Sequence, residues 1–399
     1  MRGTEKMSDK LKIAELLDSY FPCIDGPINV VTYYSEHLNK QADCKLIVPK
    51  AKKKQKYVDN RPFEVIRCKS TAAPEGYRLG HPASDKKLKK RVKQEQFDIF
   101  HTHSPFSMGT FAVKMGRKYH VPVVATLHTK YYDDFSRVLH GFKPLCNFML
   151  RRIMRVYKAA DSVWTVNNAS CQVLRDYGYK GDIVVMRNGT DLKYPANAEE
   201  LIARVNALHN LEEQKNVLIF VGRIAMYKNL ALMAEALRKL KDMGEDFKML
   251  IIGNGFDENK FKGMVEKLGL SENFVFVGSV RDRELLQGYY LRSDLFLFPS
   301  TFDTSSLVPI EAAAHKLPTL LIKGSCTAEN IVDGVNGFLA EETAEAYAEK
   351  IKEILSNPEK MHAVGEEAHR SVYRTWETVA EEVLQKYKEI IEDYKKKQK

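Results

Sequence analysis

The chain alternates short apolar runs with helical segments, and it does so twice. Runs at Lys12–Leu17, Lys45–Val48, Phe63–Arg67, Asp98–His101, Val121–Leu127, Ser162–Val166 and Ile183–Met186 have strand length. Helical patterns such as Val30–Lys40, Ser107–Tyr119 and Pro144–Ala160 lie between them. A polar stretch, Asn197–Gln214, is helical or linking. The pattern then restarts with strands at Val217–Val221, Lys248–Gly253, Phe274–Val277, 294–298 and Thr319–Ile322, separated by helices at Asn229–Met243, Glu258–Leu268 and Pro309–His315. Strand–helix alternation predicts parallel sheet covered by helices on both faces. The expected fold is therefore α/β, with two Rossmann-like doubly wound domains over 1–196 and 197–372. The tail reads as helical over 361–399, and its last part, 373–399, is expected to pack back on the first domain.

At 399 residues, with 44% hydrophobic and 29% charged, the chain can build two sizeable cores and is neither fibrous nor disordered. No apolar run approaches the roughly 18 residues of a spanning helix, and the N-terminus lacks the apolar region of a secretory signal. Cys23, Cys44, Cys68, Cys146, Cys171 and Cys326 show no metal-type spacing and read as reduced thiols of a cytosolic protein. The net charge of +10 is uneven: residues 1–200 hold 35 Lys+Arg against 21 Asp+Glu, and the rest hold 27 against 31. The basic first half suggests an anionic surface as partner.

In open parallel sheets, ligands bind beyond the carboxyl ends of the strands, so the loops there carry the functional reading. After the 294–298 strand comes Pro299-Ser300-Thr301-Phe302-Asp303-Thr304-Ser305-Ser306-Leu307-Val308-Pro309-Ile310-Glu311, in which two acids flank a Ser/Thr loop opening a small-residue helix. Backbone N–H groups at such a place suit phosphate, and the acids suit hydroxyls of whatever carries it. Glu311 alone would read as a helix-dipole acid, and Asp303 alone as a turn residue. Val221-Gly222-Arg223 and Lys228 follow the first strand of the second domain, where two cations can neutralise a departing diphosphate. Gly253-Asn254-Gly255 follows the next strand and can bring backbone close to a base or ribose.

In the first domain, Gly26 lies in the loop after the first strand and lets backbone approach an anion. His101, His103 and His128 end strands. His101 and His103 are expected on opposite faces of theirs, so that at most one reaches a ligand. Zinc is not expected, because no third ligand stands nearby in sequence. Residues 84–94 place Lys86, Lys87, Lys89, Lys90, Arg91 and Lys93 around Leu88 and Val92. With Lys52, Lys53, Lys54 and Lys56 they form a candidate dock for anionic lipid, although a solvated helix face fits the pattern equally. The cationic stretch Phe148–Lys158 is more apolar and reads as partly core. No nucleic-acid module or stacking platform is visible, so nucleic acid is not an expected partner.

Taken together, Gly222-Arg223-x4-Lys228-Asn229, the acid-x7-acid pair Asp303 and Glu311, Pro318 and 330–339 (Asn-Ile-Val-Asp-Gly-Val-Asn-Gly-Phe-Leu) resemble the family-4 retaining glycosyltransferases of the GT-B fold, over nearly the whole chain. His101-Thr102-His103-Ser104-Pro105-Phe106, Thr126-Leu127-His128-Thr129 and 131–135 (Tyr-Tyr-Asp-Asp-Phe) are most similar to bacterial enzymes that glucosylate diacylglycerol. The resemblance implies two domains facing across a cleft, a nucleotide-sugar donor on the second, and no cofactor or metal. It implies that Arg223 and Lys228 hold the diphosphate and Glu311 the ribose. Asp303 takes the place of the acid at the donor sugar, and Ser305, Ser306 and Leu307 offer backbone to sugar and phosphate. His128 stands where a first-domain histidine reaches the donor sugar. Asp303 is one methylene shorter than the family's Glu and Ser306 replaces a Gly, which puts the donor sugar, and activity itself, in question.

The expected reaction is transfer of a hexose, with retention, from UDP-glucose or UDP-galactose to a lipid such as diacylglycerol, by a peripheral enzyme at the inner face of the cell membrane. A cell-envelope polysaccharide or protein acceptor, and an inactive nucleotide-sugar-binding paralogue, are the alternatives.

Overall fold

Entering a parallel sheet at its middle strand sets the plan of this molecule twice. A computed structural model describes residues 10–22, 26–51, 59–72 and 78–398. The chain forms two units, Met1–Asn188 with Trp376–Lys399, and Gly189–Thr375.

In the first unit the order is β1 (Lys12–Leu16), α1 (Gly26–Leu38), β2 (Asp43–Pro49), β3 (Glu64–Cys68), β4 (Ser70–Ala72), β5 (Arg78–Gly80), α2 (Lys86–Glu95), β6 (Ile99–Thr102), α3 (Ser107–Tyr119), β7 (Val123–Leu127), α4 (Tyr131–Val138), α5 (Lys143–Ala159), β8 (Ser162–Thr165), α6 (Asn168–Asp176) and β9 (Ile183–Val185). The seven-stranded sheet has the order β3-β2-β1-β6-β7-β8-β9, and every pair in it is parallel. Its central strands are buried on both faces, which is why they read as continuous apolar runs. β4 and β5 form a separate antiparallel pair.

The second unit continues with α7 (Ala198–His209), β10 (Val217–Val221), α8 (Leu230–Asp242), β11 (Lys248–Ile252), α9 (Glu258–Lys267), β12 (Phe274–Gly278), α10 (Arg283–Arg292), β13 (Leu295–Phe298), α11 (Val308–Ala314), β14 (Thr319–Ile322), β15 (Phe338–Ala340), α12 (Ala344–Leu355) and α13 (Pro358–Ser371). Its six-stranded sheet, β12-β11-β10-β13-β14-β15, is again all parallel. Side-chain caps start several helices: Asp282 accepts from the N–H of Glu284 and Leu285, and Thr343 from that of Ala346.

The observed join falls at 188/189 rather than 196/197, because Leu192 is already buried in the core of the second unit. The tail is not one helix from 361. It breaks after α13 and resumes as α14 (Trp376–Gln398), which belongs to the first unit. α14 buries Trp376, Val379, Val383, Leu384, Tyr387 and Ile391, a stripe at helical spacing. It packs on α1, where Trp376 stacks on Tyr33 with ring centres 5.5 Å apart, while Tyr387 stacks on Trp164 at 5.6 Å. Both tryptophans of the chain lie in this unit. Replacing Trp376 with Ala removes a fully buried ring and should cost the first unit about 3–5 kcal/mol. Fluorescence of the remaining Trp164 during urea unfolding should then report an earlier transition, with the melting of the second unit unchanged.

Candidate functional site

The second sheet reverses its strand order between β10 and β13, and the loops leaving these two strands carry the residues expected to hold the donor. Lys228 follows β10 and Asp303 follows β13. The Lys228 ammonium donates to both carboxylate oxygens of Asp303, at 2.8 and 2.7 Å. Their side chains are only 11% and 22% exposed, so this ion pair is more shielded than a surface one. Lys228 also lies over the Phe298 ring, 5.9 Å from its centre. Arg223 is half-buried in the same loop as Lys228.

Three glycines hold that loop against its neighbour. Gly253 has φ +127°, and a Cβ there would come within 2.0 Å of the Gly222 carbonyl oxygen. A Cβ on Gly255 would come within 1.9 Å of the Ile224 oxygen. The Ile224 N–H donates to the Asn254 carbonyl at 3.1 Å, which ties the loop after β10 to the loop after β11. Gly253 and Asn254 thus brace the Arg223 loop by backbone contact, a role beyond the ligand approach expected of them.

Ser305, Ser306 and Leu307 are half-buried before α11. Leu307 accepts at its carbonyl from the N–H groups of Ile310 and Glu311, at 3.0 and 2.9 Å. Glu311 lies in the first turn of this seven-residue helix. The buried Tyr290 hydroxyl donates to its Oε2 at 2.8 Å. Desolvation raises the Glu311 pKa above the usual carboxylate value, against the Tyr290 hydrogen bond that lowers it. Nothing in the sequence marks Tyr290: one of two adjacent tyrosines on α10, 21 positions before Glu311, gives no signal of the acid it holds.

In the first unit the strand order reverses between β1 and β6. β6 ends at Thr102, and both His101 and His103 lie on the same side, rings 4.0 Å apart. The expectation of opposite faces is thus corrected: residues two apart along an extended chain project to one face. Spacing along the sequence does not show that β1 brings Glu15 beside both histidines, with one N or O atom of each residue within 4.8 Å of the others. Hydrogen bonds within the cluster already engage these atoms, and no metal is assigned to it. His103 Nε2 lies 2.6 Å from Glu15 Oε2, and His103 Nδ1 lies 2.8 Å from His128 Nε2. Asp18, just past β1, is bound by the Ser104 hydroxyl at 2.7 Å and the Met108 N–H at 3.1 Å, at the start of α3. Gly26 opens α1, and a Cβ there would meet no atom within 4 Å, so neighbouring protein atoms do not demand glycine.

The candidate lipid dock at α2 has its apolar residues turned inward. Leu88 and Val92 are buried, while Lys86, Lys87, Lys90, Arg91 and Lys93 are exposed and Lys89 half-exposed. Arg91 pairs with Glu64 at 2.9 Å. Lys52, Lys53, Lys54 and Lys56 lie outside the described residues. The stretch expected to be partly core does bury Ile153, Met154, Val156 and Tyr157 on α5. Its other face is apolar and basic, with Phe142 61% and Phe148 49% exposed beside Leu145, Arg152 and Arg155. No helix among the described residues is long and apolar enough to cross a membrane.

Two α/β units, each built on an all-parallel sheet, are the components of a GT-B architecture. A family model for Glycosyltransferase Family 4 matches residues 24–194, and one for Glycosyl transferases group 1 matches 203–371. The chain belongs to the GT-B glycosyltransferases built from these two domains. It is 25% identical over 374 residues to an alpha-monoglucosyldiacylglycerol synthase of Acholeplasma laidlawii, covering 90% of this chain and 92% of that one. It is 26% identical over 390 residues to a GDP-mannose-dependent alpha-mannosyltransferase of Corynebacterium glutamicum, covering 96% and 89%. In fold it is similar to Anabaena Alr3699/HepE solved in complex with UDP, with a TM-score of 0.77, 17% identity, and coverage of 95% and 100%.

The glycine contacts give a test by sign. Gly253→Ala should destabilise the second unit by about 1–3 kcal/mol through overpacking. Gly263→Ala, on α9 with no atom within 4 Å of the added methyl, should stabilise by about 0.5–1 kcal/mol. Circular dichroism melts of the two variants should move in opposite directions.

Proposed function

We propose that the protein transfers a hexose, with retention, from UDP-glucose or UDP-galactose to a lipid acceptor such as diacylglycerol, at an anionic membrane surface. The Lys228–Asp303 pair across the β10–β13 crevice carries this reading. A diphosphate arriving there offers Lys228 a more highly charged partner than Asp303, and Arg223 adds a second cation. Asp303, released from the lysine, then accepts hydrogen bonds from sugar hydroxyls. Glu311, with one oxygen held by Tyr290, accepts from the ribose. The anomeric C–O bond to the diphosphate breaks as the acceptor oxygen bonds from the same face, and the acceptor's proton passes to the departing phosphate. The cations supply the charge that a metal supplies elsewhere, and their preorganisation provides most of the rate enhancement.

The lipid acceptor is supported by the relative named a monoglucosyldiacylglycerol synthase and by α5. Phe142, Leu145, Phe148, Arg152 and Arg155 recur every three or four residues, so they form one stripe of apolar wedge and cations. Each cation near anionic lipid contributes about 1 kcal/mol, and the rings supply the insertion that α2 alone lacks. The mannosyltransferase relative supports a second reading, GDP-mannose as donor. Incubating a nucleotide-sugar panel with mixed-lipid vesicles and identifying products by mass spectrometry separates the two.

Alanine at both Arg223 and Lys228 should lower sugar transfer by about 10²–10³-fold; undiminished turnover would refute the diphosphate assignment. Phe142→Ser with Phe148→Ser should reduce flotation with anionic vesicles and leave UDP affinity unchanged. A pH series tests Glu311. Its raised pKa means that protonation begins above the ordinary glutamate range as pH falls, and a protonated carboxyl presents a hydrogen where the ribose must donate. UDP affinity measured by calorimetry should therefore weaken on acidification, whereas Glu311→Gln should bind more weakly at pH 7 and show a flatter profile.

A further inference from the structure

Beneath His128 a chain of buried polar groups runs back to the far end of the sequence. Tyr387 on α14 donates to Glu15 Oε1 at 2.8 Å, Glu15 Oε2 meets His103 Nε2 at 2.6 Å, and His103 Nδ1 meets His128 Nε2 at 2.8 Å. A side branch runs from the Tyr387 hydroxyl to His101 Nδ1 at 2.6 Å, and from His101 Nε2 to the Thr126 hydroxyl at 2.6 Å. All four main members are buried, Glu15 and Tyr387 completely. We propose that Glu15 and Tyr387 are positioning residues of the transfer reaction: acting through His103, they decide which ring nitrogen of His128 carries its proton. This rests on the reading of His128 as the first-domain histidine at the donor sugar.

Counting protons along the chain gives two states. Each neutral imidazole holds one N–H, and each hydrogen bond holds one proton. When Glu15 is the neutral acid with its proton on Oε2, it donates to His103 Nε2. His103 then carries its proton on Nδ1 and donates to His128 Nε2, so the proton of His128 is on Nδ1. When Glu15 is a carboxylate, every step reverses. His103 Nε2–H donates to Oε2, His128 Nε2–H donates to His103 Nδ1, and His128 Nδ1 carries a lone pair. Passing from the first state to the second moves the Glu15 proton to His103, the His103 proton to His128, and releases one proton from His128 Nδ1. The negative charge ends on Glu15, where the Tyr387 hydroxyl donates to it. Nδ1 of His128 is a hydrogen-bond donor in the first state and an acceptor in the second.

The surroundings leave Glu15 as the member that titrates in the working range. Facing the cluster are Tyr34 from α1, Cys44 from β2, His101 and His103 from β6 and its end, His128 beyond β7, and Tyr387 from α14. Desolvation by burial raises the Glu15 pKa to about 8, against the Tyr387 hydrogen bond that lowers it. The same desolvation lowers His103 to about 3 and holds His101 and His128 well below the usual histidine value. Cys44 and Tyr387 are pushed well above their ordinary ranges. Near neutral pH Glu15 is protonated, the rings are neutral, and His128 presents Nδ1–H.

Two readouts on the full-length protein test this. With ¹⁵N-labelled histidine, NMR distinguishes the two ring tautomers directly. In the wild type, His128 should change from Nδ1–H to Nε2–H as pH rises through about 8. Glu15→Gln, whose amide can donate to His103 Nε2 at every pH, should hold His128 in the Nδ1–H form. Sugar transfer should fall along the same alkaline limb in the wild type, and the limb should be absent in Glu15→Gln. Tyr387→Phe removes the hydrogen bond that favours the carboxylate, so the limb should move to higher pH. A His128 tautomer that stays constant from pH 6.5 to 9.5 in the wild type, or that still switches in Glu15→Gln, overturns the relay. If the tautomer switches as described but His128→Ala transfers sugar at the wild-type rate, the placement of His128 at the donor is wrong and the relay positions nothing for the reaction. An unshifted limb in Tyr387→Phe, in a variant that melts as a folded protein, removes Tyr387 from the proposal.

Discussion

A parallel sheet whose chain enters at a middle strand must turn one way and then the other, and the backbone parts where it does so. This molecule has that arrangement twice. β1 is flanked by β2 on one side and β6 on the other, and β10 by β11 and β13. The loops leaving the two strands at each reversal diverge, and side chains from distant parts of the sequence meet between them. Glu15 meets His103 at one reversal, and Lys228 meets Asp303 at the other. The proposed donor chemistry and the buried Glu15 cluster both follow from which groups are brought to these two places and how much water reaches them.

Water access separates the two outcomes. At the second reversal the side chains keep some exposure, and a lysine and an aspartate pair directly. At the first, Glu15 has no exposure at all, and an isolated carboxylate there would carry a desolvation cost of several kcal/mol. The protein meets that cost by surrounding the acid with neutral partners and shifting its proton equilibrium rather than by supplying a cation. On the proposed reading, one reversal exchanges a counter-ion for a ligand. The other is fitted to hold or pass a proton without creating an unpaired charge.

The strands and the two-unit plan were legible because buried parallel strands must be apolar along their whole length. The cations after Gly222 and the acids on either side of the Ser/Thr loop were legible because a strand, a loop and a helix start fix their placement locally. The Glu15 cluster was not. Glu15 and Tyr387 stand 372 positions apart, and no periodicity links them. Only the return of α14 to the first unit brings them together. The opposite-face reading of His101 and His103 failed on the geometry of the strand itself. Glycines were legible as loop residues but not in their role. A backbone clash at Gly253 with the Gly222 carbonyl depends on two strands becoming neighbours, which sequence spacing does not state.

The short acid at 303 gains meaning from its partner. Both of its oxygens sit within 2.8 Å of one ammonium, so a single lysine engages both ends of the carboxylate. A glutamate in this place would carry its carboxylate one methylene further along the same direction, and would have to fold back to make the same two contacts. The aspartate therefore suits a resting pair, and on the proposed reading it suits a sugar whose hydroxyl lies slightly nearer the loop. On the same reading Ser306 adds a side chain where the family pattern has a glycine. Glu311 is under no such exchange. Its Tyr290 contact comes from a buried ring, which fixes one carboxylate oxygen independently of the Lys228–Asp303 pair. On the proposed reading, selectivity for the sugar and grip on the nucleotide fall to different acids, and a change in donor sugar need disturb only the first.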